Sequence, residues 1–261
     1  MKRSAVLAIV ATAVAAVVAV VAWAYLRPDP DALWRIVSEQ CVPEARSGAA
    51  ANPCSKVDLD EGYVVFKDRN GIGQYLLMPI RHIDGIESPE LVEPGAPNYW
   101  RDAWDARFYL EQAIGTTLKR EEIGLAVNSA SGRSQNHLHI HIDCMQPQVT
   151  AALAALKTLI GEQWTDLPMP LPGHSYRARL IVDATLRETN PFQLLFADIQ
   201  QRGEAMADQT LLLTGTSLAD GRPAFILLND SVEPGDNAAA EELLDHSCSV
   251  RNGHDAGQKR S

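Results

Sequence analysis

The sequence predicts an α+β fold in two similar halves, each with a mostly antiparallel sheet, preceded by one transmembrane helix. Three observations point there. Short apolar or alternating runs are separated by turn residues. A strand, helix, strand, strand pattern recurs in the second half without the histidines of the first. An uncharged N-terminal run is long enough to cross a bilayer.

That run covers residues 5–26, within an expected anchor at 1–27. It is rich in Ala and Val and spans roughly 33 Å as a helix at about 1.5 Å per residue. Lys2 and Arg3 precede it and Asp29 and Asp31 follow, so the positive-inside rule puts the body outside the cytoplasm. Ala22-Trp23-Ala24 also fits a signal-peptide cleavage pattern, although the run exceeds the usual apolar core of about 7–15 residues. On either reading the rest of the chain is exported.

Residues 29–40 read as a short helix with Asp31 as N-cap. Residues 62–67 and 73–79 read as strands joined through Asn70-Gly71, a hairpin signal. A Pro/Gly-rich loop at 88–97 leads to 98–118, where Trp100, Trp104, Phe108 and Leu110 recur near helical spacing. We read that stripe as core rather than a lipid pocket. Strands at 123–127 and 137–144 enclose the polar loop 128–136, and 148–164 reads as a helix. Pro168, Pro170 and Pro172 break the chain at 167–173, dividing a half at 28–166 from one at 167–250. A strand at 176–182, a helix at 191–207, a hairpin of 211–216 with 224–229 around Asp220-Gly221, and a helix at 237–246 follow. Residues 251–261 have the composition of a disordered tail.

The net charge is −10 over 261 residues, with Lys and Arg scattered. Nucleic acid needs a basic footprint, so it is excluded as a partner, as is purely electrostatic adhesion to anionic lipid. The even set of four cysteines, Cys41, Cys54, Cys144 and Cys248, suits an oxidising compartment. Three pairings are open. In one, Cys41 and Cys54 close the 42–53 loop and Cys144 joins Cys248. Zinc is the rival, but no two cysteines have C-x-x-C spacing.

The chemistry concentrates in His137-Leu138-His139-Ile140-His141-Ile142-Asp143. On a strand, alternation places Leu138, Ile140, Ile142 and Cys144 on a buried face and His137, His139 and His141 on the other. A packed face gains little from three imidazoles, each of which needs a partner when buried. One functional reading is a metal site, with Asp143 or His82 as a third ligand. The other is a histidine nucleophile that splits a displacement at phosphorus into two steps. The polar loop favours the nucleophile. Asn128, Ser129, Ser134, Gln135 and Asn136 supply neutral donors for phosphate oxygens, and Arg133 supplies a cation. His174 and His246 read as structural.

The run His-Leu-His-Ile-His-Ile resembles the signature of the histidine-triad superfamily of nucleotide hydrolases and transferases. Residues 75–82, ending in His82, resemble the strand-to-loop segment of the same superfamily. Further blocks are similar to the bacterial CDP-diacylglycerol pyrophosphatases: Gly62-Tyr-Val-Val, Gln74-Tyr-Leu-Leu-Met-Pro, residues 128–144, Leu171-Pro-Gly-His-Ser-Tyr and Asp245-His-Ser-Cys. The resemblance runs from about Leu33 to Cys248. It implies a histidine-triad-like sheet and a phospholipid-metabolising enzyme on the bacterial inner membrane, single-pass and facing the periplasm. His139 would attack the cytidine-side phosphorus, with His137 orienting and His141 contacting phosphate or the leaving oxygen. Asn128, Ser134, Gln135, Arg133 and His82 would surround a liponucleotide substrate, with no cofactor. Phosphatidate would leave, and water would release CMP. Asn136 departs from the aromatic residue many small superfamily members carry there. A soluble-nucleotide hydrolase or transferase and a non-enzymatic envelope metal-binding protein are the alternatives.

Overall fold

The computed structural model describes residues 29–172 and 174–252. Nine strands form one sheet: β1 (Cys54–Asp58), β2 (Tyr63–Lys67), β3 (Tyr75–Pro79), β4 (Ile123–Val127), β5 (Ile140–Cys144), β6 (Thr165–Asp166), β7 (Arg177–Ile181), β8 (Gln209–Ser217) and β9 (Pro223–Ser231). Their order is β1-β2-β3-β5-β4-β8-β9-β7-β6, and every neighbouring pair is antiparallel.

The expected α+β arrangement, with a separate sheet in each half, is therefore corrected to one large antiparallel sheet with few and short helices. The physical reason lies at β4, every residue of which is buried. An apolar strand covered on both faces cannot leave one edge unpaired without stranding its N–H and C=O groups. β8 supplies the missing partner, with Gly124 opposite Thr214 and Val127 opposite Leu211. Among the described residues no helix is long and apolar enough to cross a membrane. The transmembrane helix expected over 5–26 and, apart from Arg251 and Asn252, the tail expected over 251–261 lie outside those residues.

One face of the sheet is covered along its length. Trp100, Trp104, Leu110, Phe192 and Leu195, from helices Tyr99–Asp105, Phe108–Ile114 and Pro191–Arg202, pack on Leu77, Leu125, Ile140, Ile142 and Phe225. Two smaller covers share the other face. Val37, Cys41 and Val42 lie on Val64, Leu76 and Met78 of β2 and β3. Val149, Leu153 and Leu156 of helix Pro147–Leu156 pack with Leu212, Ile226 and Leu228 of β8 and β9. β5 falls at the seam between the two. Its His141 stands opposite Leu76 on one side and Ala126 on the other, one from each apolar cluster.

Several elements differ locally from expectation. The helix expected at 29–40 continues past the first cysteine, through a π-helical stretch (Ile36–Cys41) into Val42–Ser47. Pro43 falls just after the π-helical stretch within this continuous helical run. Residues 98–118 break into two helices, because Arg107 turns back to donate to the Trp104 carbonyl. Phe108 is half exposed rather than part of the stripe. The helix expected at 237–246 is only a 3-10 turn (Ala240–Leu243). Its backbone is committed elsewhere: Ala238 O accepts from Ser129 N, Leu243 O from Gln146 N, and Asp245 N donates to Cys144 O. Sequence reading also missed β1, a polar edge strand.

Cys41 pairs with Cys54, 13 positions apart, and Cys144 with Cys248, 104 positions apart. Cross-links that close longer loops remove more entropy from the unfolded chain. Replacing both Cys144 and Cys248 by Ser should lower unfolding stability by about 2–5 kcal/mol, more than the Cys41/Cys54 pair does. Urea denaturation of the two double variants checks this, and equal losses would contradict the loop-length account.

Candidate active site

At the seam over β5 lies a cleft of about 410 Å³. Its apolar wall is Leu33, Ile36, Phe66 and Leu76, and its polar wall includes Asn128, Ser134, Gln135 and Glu241. His139 and His141 line it together, their rings edge to face with centroids 4.9 Å apart.

The strand expected over 137–144 begins only at Ile140. β3 ends at Pro79, which has no N–H to extend the ladder, and the Pro79 carbonyl accepts from His137 Nε2 at 3.0 Å. Of the three imidazoles, only that of His141 therefore stands on the hydrogen-bonded strand itself. His137 is fully buried against Trp34 and His82 and is absent from the cleft lining. Leu138, Ile140, Ile142 and Cys144 all join the core on the opposite face.

The hydrogen bonds fix which nitrogen carries each proton. His139 Nδ1 lies 2.7 Å from the carbonyl of His137, which can only accept. The proton is therefore on Nδ1, and the Nε2 lone pair is free toward the cleft. His141 is the reverse. Gln74 Nε2 donates to His141 Nδ1 at 2.8 Å and to the Asp68 carboxylate at 3.3 Å, which sets the amide orientation. His141 thus carries its proton on Nε2, 3.4 Å from Glu241 Oε2. Burial pushes the pKa of both rings down, His141 well below the ordinary histidine value, and that of His137 to about 4. All three are neutral near pH 7. One offers a lone pair and its neighbour an N–H.

The remaining sequence-predicted residues divide. Asn128, Ser134 and Gln135 line the cleft. Gln135 also clamps the start of the helical segment, accepting from Leu33 N and donating to Asp29 O. Arg133, expected as the phosphate cation, makes a two-pronged pair with Glu87 at 2.7 and 2.6 Å and is committed there. Arg69 is the arginine that lines the cleft. His82 stacks on His137, meets Trp34 edge to face, pairs with Asp84 at 3.4 Å, and does not reach the cleft.

Two residues the sequence reading did not place are present. Glu241, on the 3-10 turn, accepts from Asn128 Nδ2 at 2.9 Å and donates its backbone N–H to Asn128 Oδ1 at 3.1 Å. His246, read from sequence as structural, donates from Nδ1 to the buried Asp143 at 2.8 Å and brings Nε2 to 3.6 Å from Glu241. Asp143 is occupied by this contact and by the Cys144 N–H, so it is not aimed at the triad as a metal ligand. Among the described residues, the grouping whose donor atoms converge as a metal requires is His174, Asp230 and Asp236, none of them triad histidines.

The family described as CDP-diacylglycerol pyrophosphatase matches residues 28–252. A Yersinia pestis protein named CDP-diacylglycerol pyrophosphatase is 43% identical over 224 residues, 85% of this chain and 85% of that one.

The Asp143 contact raises the His246 pKa above its ordinary value. The resulting stabilisation is fully present below the unfolded-state pKa of about 6.5 and lost as pH rises through the higher folded value. NMR titration should show His246 titrating above about 6.5 and dropping toward that value in Asp143→Asn. An unmoved titration would remove Asp143 as the cause.

Proposed function

The chain belongs to the CDP-diacylglycerol pyrophosphatase family and hydrolyses the pyrophosphate bond of CDP-diacylglycerol; we propose that it does so through a nucleotidyl intermediate on His139, in the manner of the histidine-triad superfamily. The observation that carries this reading is the His137 carbonyl on His139 Nδ1. It presents Nε2 to the cleft as an unprotonated nucleophile and receives the positive charge that develops on the ring as Nε2 bonds phosphorus.

In the first step His139 Nε2 attacks the cytidine-side phosphorus. The bond to the bridging oxygen breaks, and phosphatidate leaves with the electron pair. A phosphomonoester is a stable anion, so departure needs charge dispersal more than protonation. The Asn128 and Ser134 side chains on the cleft wall supply donors for the oxygens, while the enclosed His141 Nε2–H faces Glu241 at 3.4 Å. Gln74 matters because it holds His141 in the donating tautomer. In the second step water attacks the same phosphorus, the P–N bond breaks, and CMP is released. The apolar wall of Leu33, Ile36, Phe66 and Leu76 suits the lipid side of the substrate. Two disulfides suit an oxidising compartment outside the cytoplasm.

His139→Ala should lower kcat by on the order of 10⁴-fold or more, as loss of a nucleophile does elsewhere, while thermal unfolding changes little. Substrate labelled in the cytidine-side phosphate should leave an acid-labile, base-stable adduct that peptide mass spectrometry places on His139. Near-normal turnover by the Ala variant, or an adduct on a different residue, would reject the assignment.

A further inference from the structure

We infer that Glu241 is the general base that activates the attacking water in the second step, positioned by Asn128 and by the His246–Asp143 pair. The inference rests on the nucleotidyl-His139 reading and concerns a step that His139 cannot serve.

The two displacements have different proton demands. In the first, the nucleophile arrives without a proton and the leaving group needs none. In the second, water must lose a proton as its oxygen bonds phosphorus. The triad has no site to receive it. His139 Nε2 is bonded to phosphorus and its Nδ1 proton is held by the His137 carbonyl. His141 Nδ1 already accepts from Gln74, and its Nε2 is the protonated nitrogen. His137 is turned away from the cleft.

The acids lining the cleft are Asp68 and Glu241. Asp68 accepts from Asn70 N and from Gln74. Glu241 lines the cleft beside His139, its Oε2 3.4 Å from the enclosed, proton-bearing nitrogen of His141. One oxygen takes the Asn128 amide at 2.9 Å and the other faces His246 at 3.6 Å. Fixing the carboxylate from two sides sets its direction. The step balances. The water oxygen bonds phosphorus, its proton goes to Glu241, the P–N electron pair returns to His139 Nε2, and CMP departs. Glu241 is about one-third exposed and returns the proton to solvent.

Rapid-quench kinetics on the full chain, with both phosphatidate and CMP measured, tests this. Glu241→Gln keeps the shape and an acceptor for Asn128. It should retain a first-turnover burst of phosphatidate, slow CMP release by about 10²–10⁴-fold, and accumulate the His139 adduct. Azide, a nucleophile that needs no base, should then speed adduct breakdown in the variant. Glu241→Asp, which keeps the charge, should recover part of the release rate. A burst and turnover that fall together in Glu241→Gln, with an adduct trapped only in the unmodified enzyme, would overturn the role of Glu241 and leave that of His139. An adduct in neither protein would overturn both.

Discussion

The site depends on a single hydrogen bond between two residues two positions apart: the Nδ1–H of His139 held by the carbonyl of His137. Imidazole has two tautomers of similar energy, and only one leaves Nε2 unprotonated. A carbonyl has no proton to give, so it selects that tautomer without a charged partner. Burial reinforces the choice by keeping the ring neutral. The loop conformation of 137–139 makes this contact possible, since a strand beginning at His137 would direct that carbonyl toward a neighbouring strand.

The sheet explains why the imidazoles emerge where they do. β5 is central, paired on both sides, with its apolar residues anchored in the larger core. Its other face falls between two separate apolar covers. A seam of this kind leaves polar side chains partly accessible while the backbone beneath stays fully bonded. The strand's rigidity is therefore transmitted to His141, and through Gln74 to its proton.

Much of this was legible in the sequence because the signals are local. The apolar runs at 62–67 and 123–127 and in β8 and β9, with the turn at Asp220-Gly221, each specify structure within a few neighbours. So does the apolar set Leu138, Ile140 and Ile142, which marks the face opposite the chemistry. Pairing between β4 and β8 has no such signal, since each strand reads equally well as belonging to its own half. Arg133 read as a free cation because Glu87, its partner, is 46 positions away. Glu241 and His246 sit in a segment with helical composition whose backbone is claimed by other parts of the chain. The nearby block Asp245-His-Ser-Cys was the one available hint.

The link between Cys144 and Cys248 joins the end of β5 to the segment that carries Glu241 and His246. The polar wall of the cleft thus combines Asn128, Ser134 and Gln135 from the middle of the chain with Glu241, more than a hundred positions on. The ribosome delivers these parts far apart in time. Any partly synthesised chain holds its histidines without the Glu241 carboxylate. With Glu241 as the base of the second displacement, repeated turnover waits until this late segment has docked, although the first displacement calls only on the histidines.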